Sequence, residues 1–438
     1  MNANTNSILV VGGGLSGLLA AWHLRRPGRD VQVWEASSAL GGWAQTLSWP
    51  GPNGEPGSLE RGPQGLLVSR GGALDRLLLD LDLALHPMAP RGPRWLGKGG
   101  LRQPSPTTLA GLLVAPELGI GGKLRLLAEP FIPPGSRSDE TLHAFFARRL
   151  GEGFAQELLP ALVAGVLAAP PERIGMEMLP RLKRMEARGG LLVGGLRRGP
   201  ERTRRPVGGT GALALALAAH LGAVHTNRPA QSLQALPGGR WRVQGGDLTS
   251  EADAVVVALP SRAAADLLRP LVPAAAESLD AIPRLDLQVW HSRHVMVNGW
   301  ERGIGLLIHP TEGQGMLGVV SLAADDPRGV PGLLQVRTYV GGAYPVAPGL
   351  QAWPGILAAL RHWLPELSDP IQVRQEACPG AFPLLGPGHE ARVTRLVESL
   401  PPGLHWLGTE RFGPGIPDLA EGIEAWAQAS PLRAGLSS

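Results

Sequence analysis

An apolar run from Ile8 to Val11 meets Gly12-Gly13-Gly14-Leu15-Ser16-Gly17, and a second strand-like run, Val31 to Glu35, ends on an acid. This order restricts the chain more than any other feature, because a strand, a glycine-rich turn and a helix make a dinucleotide-binding βαβ unit. Gly12 permits the tight turn, Gly14 lets the backbone approach a pyrophosphate, and Gly17 lets the helix pack closely on the strand. Leu15 and Ser16 open that helix, whose unpaired N–H groups and dipole favour phosphate. Glu35 lies where the acid of such a unit binds a ribose hydroxyl.

After Glu35 and Ala36 come Leu40-Gly41-Gly42-Trp43, Thr46 and Glu60-Arg61-Gly62-Pro63. A second glycine pair soon after the ribose acid resembles the flavin-binding signature of the amine oxidase superfamily, in which extra backbone contacts hold an extended FAD. FAD is therefore expected rather than NAD.

The chain has 438 residues, more than one hydrophobic core usually serves, so two or three domains are expected. Apolar residues make up 44% and charged residues 18%, without a block of like charge, so neither disorder nor a nucleic-acid partner is indicated. The net charge of +4 rests on arginine, since Lys98, Lys123 and Lys183 are the only lysines. Arginine suits carboxylates, phosphates and anionic lipid. The single cysteine, Cys378, excludes an internal disulfide and fits a reducing compartment. The first ten residues lack a basic stretch, so a cytoplasmic protein without a signal peptide is expected. No apolar window reaches spanning length, so any membrane contact would be peripheral. The histidines show no HxxxH or HExxH spacing, and no metal is expected.

Leucine spacing predicts an amphipathic helix over Leu74 to Leu85, followed by a Pro/Gly-rich interruption from Pro87 to Pro106. Thr107 to Leu196 reads as an inserted helical region, with a helix start at Ser138-Asp139-Glu140-Thr141. Within it, Leu109 to Phe131 suits either a helix pair in a membrane interface or ordinary core packing. Gly208-Gly209 precedes a helix over Gly211 to Leu221, and the valine-rich run to Pro260 returns to the nucleotide domain. Alternation in Leu285 to Trp290, Leu317 to Leu322 and Leu334 to Val340 predicts antiparallel strands. A last strand, loop and helix run from Leu407 through Gly413-Pro414-Gly415.

Together these landmarks resemble the FAD-dependent, oxygen-using protoporphyrinogen oxidases. The resemblance is carried by Val10 to Leu18, Leu40 to Trp43, Glu60 to Pro63, Asp139-Glu-Thr-Leu-His-Ala-Phe145, Arg148-Arg-Leu-Gly151 and Ala164-Gly-Val166. It departs from the family at Ala381-Phe-Pro-Leu-Leu385 before Gly388-His389, at Leu419 after Gly415-Ile416-Pro417-Asp418, and at Tyr339, where Phe or Met is more usual. It implies an α/β fold: a Rossmann-like FAD-binding domain of the GR2, p-hydroxybenzoate hydroxylase-like kind over 1–85, 204–265 and 390–438. An α+β substrate domain on an antiparallel sheet would occupy 86–104 and 266–389, and an inserted helical membrane-binding domain 105–203.

The implied cofactor contacts are Gly12, Gly14, Leu15, Ser16, Gly17, Glu35, Ala36, Gly41, Gly42, Trp43, Gly62, Pro63, Ala230, Ala258, Gly408, Gly415, Ile416 and Pro417. The implied substrate contacts are Arg94, pairing with a propionate, Gly165, facing the porphyrin ring, and Leu307, Val320 and Tyr339 around the pyrroles. The activity implied is oxidation of protoporphyrinogen IX by successive hydride transfers to FAD, with O2 or a quinone as final acceptor. No side chain takes a catalytic role, since flavin N5 accepts the hydride. Peripheral attachment to a membrane is implied, and a homodimer is allowed. Two alternatives remain: a carotenoid desaturase-like or amine oxidase-like enzyme, or a non-catalytic protein that binds flavin and tetrapyrrole.

Overall fold

In the computed structural model the described residues are 6–86, 92–106, 108–135, 139–193 and 201–433. Ser138, Thr107, Pro87 and Leu196, which mark boundaries in the sequence reading, lie outside them.

Five parallel strands form the first sheet, in the order Val224–His225, Asp30–Trp34, Ser7–Val11, Ala254–Val257 and Leu404–Trp406. Its inner strands are nearly continuous apolar runs, as expected of a sheet covered on both faces. The helix Leu15–Leu24 buries Leu18, Leu19, Ala20 and Ala21 against Val10, Val33 and Val256 in one cluster, which also takes in Leu419 and Ile423 of the helix Ile416–Ala429. A three-stranded antiparallel meander, Ser232–Ala235, Trp241–Gly245 and Leu248–Ala252, lies between the second and fourth strands in sequence.

The second large sheet has seven strands: Gln372–Pro383, Arg284–Val295, Leu333–Gly341, Met316–Ser321, Gly305–Ile308, Arg94–Lys98 and Leu101–Pro104. All pairings are antiparallel except Gly305–Ile308 with Arg94–Lys98. One face is covered by the helix Trp353–Trp363, whose Ile356, Leu360 and Trp363 join Trp290, Leu306 and Val319 in a separate core.

Two expectations change in detail. The helix predicted over Leu74 to Leu85 stops at Asp80, because Asp82 adopts φ 48° and Leu85–His86 becomes a strand paired with Glu201–Pro206. The Pro/Gly-rich segment is not only an interruption: its residues from Arg94 to Pro104 supply the last two strands at one end of the seven-stranded sheet.

The helical region contains Leu109–Val114, Ile120–Leu127, Leu142–Leu150, Glu152–Glu157, Leu159–Leu167 and Pro180–Ala187. Thr141 caps Leu142–Leu150 by accepting from Ala144 N at 3.1 Å, so the predicted helix start is observed. The two arginines that follow clamp this region. Arg148 takes both oxygens of Glu140, at 2.8 and 2.9 Å, and Glu186 at 2.7 Å. Arg149 and Glu129 form a fully buried pair, with Arg149 Nη1 donating to Ile132 O at 2.7 Å and Leu191 N to Glu129 Oε1 at 2.7 Å. The paired arginines that mark the resemblance thus serve the scaffold.

Candidate functional site

The cofactor groove is built where the parallel strands end. Gly12 to Gly14 follow the first strand, Glu35 and Ala36 the second, Ala258 the fourth and Gly408 the fifth, which is the carboxyl edge where ligands bind in open α/β sheets. Ala230 lies a few residues past the strand Val224–His225, beside Glu35, whose O accepts from Arg228 N at 2.8 Å. The sheet's two edge strands are four spacings apart, about 19 Å, which suits an extended dinucleotide.

Gly12 has φ 114°, and a Cβ there would stand 2.5 Å from Ala258 O, so only glycine fits. A Cβ on Gly14 would meet nothing within 4 Å, leaving backbone open to a ligand in front of the ten-residue helix Leu15–Leu24. Gly17 allows the first turn of that helix, with Leu15 and Ser16, to press on the glycine loop. Glu35 Oε2 accepts from Gly13 N at 2.7 Å, while Oε1 accepts from Ser37 N and Oγ at 2.8 and 2.7 Å.

The second glycine pair sits beside the first. Gly41 N donates to Gly13 O at 2.8 Å, and Gly14 and Gly41 form a parallel bridge. Arg61 N donates to Gln45 O at 2.9 Å and its guanidinium lies 4.7 Å from the Trp43 ring, so Gly41, Gly42 and Trp43 adjoin Gly62 and Pro63. Glu60, buried beneath them, accepts from Thr46 Oγ1 at 2.9 Å, Thr210 N at 3.0 Å and Arg328 Nη1 at 3.0 Å. Gly415, Ile416 and Pro417 form the N-terminus of the last helix, held by Arg184 on Asp418 at 2.7 Å. Open backbone, an acid at the second strand end and a doubled glycine loop fit FAD.

The five proposed substrate residues come from five separate elements, and strand register gathers them. One rung across the seven-stranded sheet reads Arg94, Gly305, Val320, Arg337, His291, Arg374. The next rung on the same face reads Leu96, Leu307, Gly318, Tyr339, Val289, Glu376. Arg94, Leu307, Val320 and Tyr339 thus share the face opposite the Trp353–Trp363 helix. Leu307, Val320 and Tyr339 are half-buried between buried neighbours. Gly165, on the helix Leu159–Leu167, packs on Leu307 so closely that a Cβ would strike Leu307 Cδ2. Arg94 lies across Gly305, where a Cβ would come within 2.6 Å of Arg94 Cδ, and its Nη1 donates to Pro93 O at 2.9 Å.

Sequence reasoning missed the residues that continue this face. Arg337 donates to Gly62 O at 2.8 Å and Arg61 O at 3.0 Å. His291, next to it on the rung, is buried and its pKa is lowered to about 3, first by burial and then by Arg337, Arg374 and Arg293. With Gln64 and Glu60 they line a small cavity that Val320 also borders. Only register connects these residues, and a buried arginine looks like any other in a chain this rich in arginine.

A doubled glycine loop on a parallel sheet, facing a mostly antiparallel sheet with a half-buried apolar and arginine-bearing face, defines a flavin-dependent oxidoreductase. The chain belongs to the flavin containing amine oxidoreductase family, whose pattern matches residues 15–415, and within it groups with the protoporphyrinogen oxidases. Its cofactor is FAD. It is 31% identical to human protoporphyrinogen oxidase over 377 residues, covering 77% of this chain and 78% of that one. It is 27% identical to Arabidopsis thaliana chloroplastic protoporphyrinogen oxidase 1 over 435 residues, covering 88% and 80%. The cyclohexylamine oxidase of Brevibacterium oxydans shares the fold, with a TM-score of 0.73, 18% identity and 98% and 99% coverage.

Proposed function

We propose that the chain oxidises protoporphyrinogen IX to protoporphyrin IX in the groove between the glycine loops and the seven-stranded sheet. The observation that carries this is the two-rung patch in which Arg94, Val320, Leu307 and Tyr339 share one face with Gly165 above it. Bound FAD supplies a two-electron acceptor for each of three successive hydrides. Arg94 would bind a substrate propionate as a charge-assisted fork. Leu307, Val320 and Tyr339 would grip the pyrrole rings and exclude water, and Gly165, packed on Leu307, would face the macrocycle with its backbone. The pyrrole N–H proton leaves to solvent, and O2 or a quinone takes the electrons away. The division into an FAD-binding part, a substrate part and a helical part follows the boundaries given above.

The test is the rise of porphyrin fluorescence when FAD-loaded protein in detergent receives protoporphyrinogen IX under air, beside coproporphyrinogen III and a heat-killed control. A rapid rise with protoporphyrinogen is expected. No rise above the control, with a quinone also tried, overturns the reading.

The helical region would carry the enzyme to its greasy substrate. Phe131 is 87% exposed, Ile120 81% and Val114 78%, and Leu124 and Leu127 are exposed beside them, with Lys123 and Arg125 in the same short helix. No helix among the described residues is long and apolar enough to cross a membrane. This surface instead suits an interfacial position, its apolar side in the lipid boundary and its basic groups at the headgroups. Co-sedimentation with vesicles containing anionic phospholipid is expected to be lost in the double variant Ile120→Ser, Phe131→Ser. Unchanged binding of that variant would remove this surface as the attachment site.

A further inference from the structure

Arg337 is 6% exposed, yet among the described residues no carboxylate lies within 4.0 Å of it. The acids nearby are already taken. Glu60 and Asp326 are matched by Arg328 and Arg205, and Glu376 by Arg374 at 2.6 Å. Arg293, fully buried on the same face, likewise donates only to neutral groups: Trp49 O, Pro50 O, Gln335 and Gln372. His291 stands between them in the strand pairing and adds no negative charge. Glu55 offsets part of the charge on Arg293, but Arg337 is buried without a carboxylate beside it, a costly arrangement. A ligand that becomes negative would justify it.

The direction of that field is set by two hydrogen bonds. Arg337 Nη1 and Nη2 hold the carbonyls of Gly62 and Arg61, while its Nε is buried without a partner and its guanidinium lies 4.8 Å from the Tyr339 ring. It therefore stands behind the Gly62–Pro63 turn and on the face that carries Val320 and Tyr339. Arg94 is three strand spacings away on the same rung, about 14 Å, too far for one carboxylate to bridge both.

We propose that Arg337 is a positioning residue for the flavin, fixing the Arg61–Pro63 turn and supplying the positive charge that stabilises the cofactor once it has been reduced. The proposal rests on the FAD reading given above. The charge balance is simple: the substrate carbon gives up a hydride, its pyrrole N–H releases a proton to water, and the cofactor gains one negative charge. A fixed guanidinium in a desolvated site lowers the energy of that state without reorganising during the reaction.

The experiment measures the midpoint potential of bound FAD and the dissociation constant of its sulfite adduct, in the wild-type holoprotein and in Arg337→Lys, Arg337→Gln and Arg337→Met. The neutral variants are expected to bind sulfite about tenfold more weakly and to lower the potential by about 30 mV, the equivalent for a two-electron couple. Arg337→Lys keeps the charge and is expected to stay close to wild type. If only Arg337→Lys retains flavin, the requirement for charge is read directly in cofactor binding. Wild-type potential and sulfite affinity in a flavin-loaded neutral variant would overturn the proposal, as would a lysine variant as impaired as the glutamine one. Wild-type protein that never holds flavin would instead overturn the FAD reading itself.

Discussion

In the five-stranded sheet, the groups placed for a ligand are backbone atoms at strand ends; in the seven-stranded sheet, they are side chains in the middle of strands. The first arrangement depends on what is absent, since Gly12 and Gly17 admit no Cβ without striking the neighbouring chain. The second depends on what is present, because an arginine and three apolar side chains face one groove only through register across four strands. A glycine loop has few sequence solutions, so it can be read directly. A groove floor has many, so its chemistry can vary while the sheet survives.

The sharpest way to break this comparison is to add one methyl group to the first region. Gly12→Ala forces a Cβ to within 2.5 Å of Ala258 O at φ 114°. Overpacking and left-handed strain together are expected to weaken FAD binding by about 3 kcal/mol, or more than a hundredfold. Flavin absorbance of the purified protein and an FAD titration report it. Full flavin retention would show that the loop yields and that the backbone argument fails. In the second region the corresponding change is Arg94→Ala, which removes the proposed propionate partner. It is expected to cost about 1.5–3 kcal/mol of substrate affinity, seen as a rise in apparent KM with flavin content unchanged. A normal substrate response in that variant would exclude Arg94 from the site.

The same contrast explains what could be read from the sequence. The βαβ unit was legible because glycine spacing and an apolar run encode geometry locally; that Gly41 adjoins Gly13 is seen only in the structure. Thr141 was legible for the same reason, a cap being a matter of three residues. The strands Arg94–Lys98 and Leu101–Pro104 were not, since proline and glycine around them mask the alternation and the partner that joins the pair to the sheet, Gly305–Ile308, is about two hundred residues away. Arg337 and His291 were hidden more deeply. Each occupies an ordinary strand position, and only pairing shows that they stand together behind Gly62. The arginine pair Arg148-Arg149 was visible as a motif, but its buried tie to Glu129 was not, because the sequence does not say which acid faces which arginine.

Acid should separate the two sheets by a smaller margin, through His405 in the first and His291 in the second. His405, in the strand Leu404–Trp406, has its pKa lowered to about 4 by burial and then by Arg411. His291 falls to about 3, where burial is joined by Arg337, Arg374 and Arg293. Both start from an ordinary value of 6.5, so below that pH the unfolded chain binds a proton that the native protein refuses. Stability is therefore complete above pH 6.5 and falls as pH drops, by about 1.4 kcal/mol per pH unit for each histidine. For His405 the loss ends near pH 4, whereas for His291 it continues towards pH 3. Urea midpoints at a series of pH values are expected to show a shallower acid loss in His291→Gln and in His405→Gln, with the two variants diverging only below pH 4. The divergence measures how much further burial with three arginines depresses His291 than burial with Arg411 depresses His405. If the two profiles coincide down to pH 3, the positive field behind Gly62 is screened, and the seven-stranded sheet is no more charged towards its groove than the parallel one.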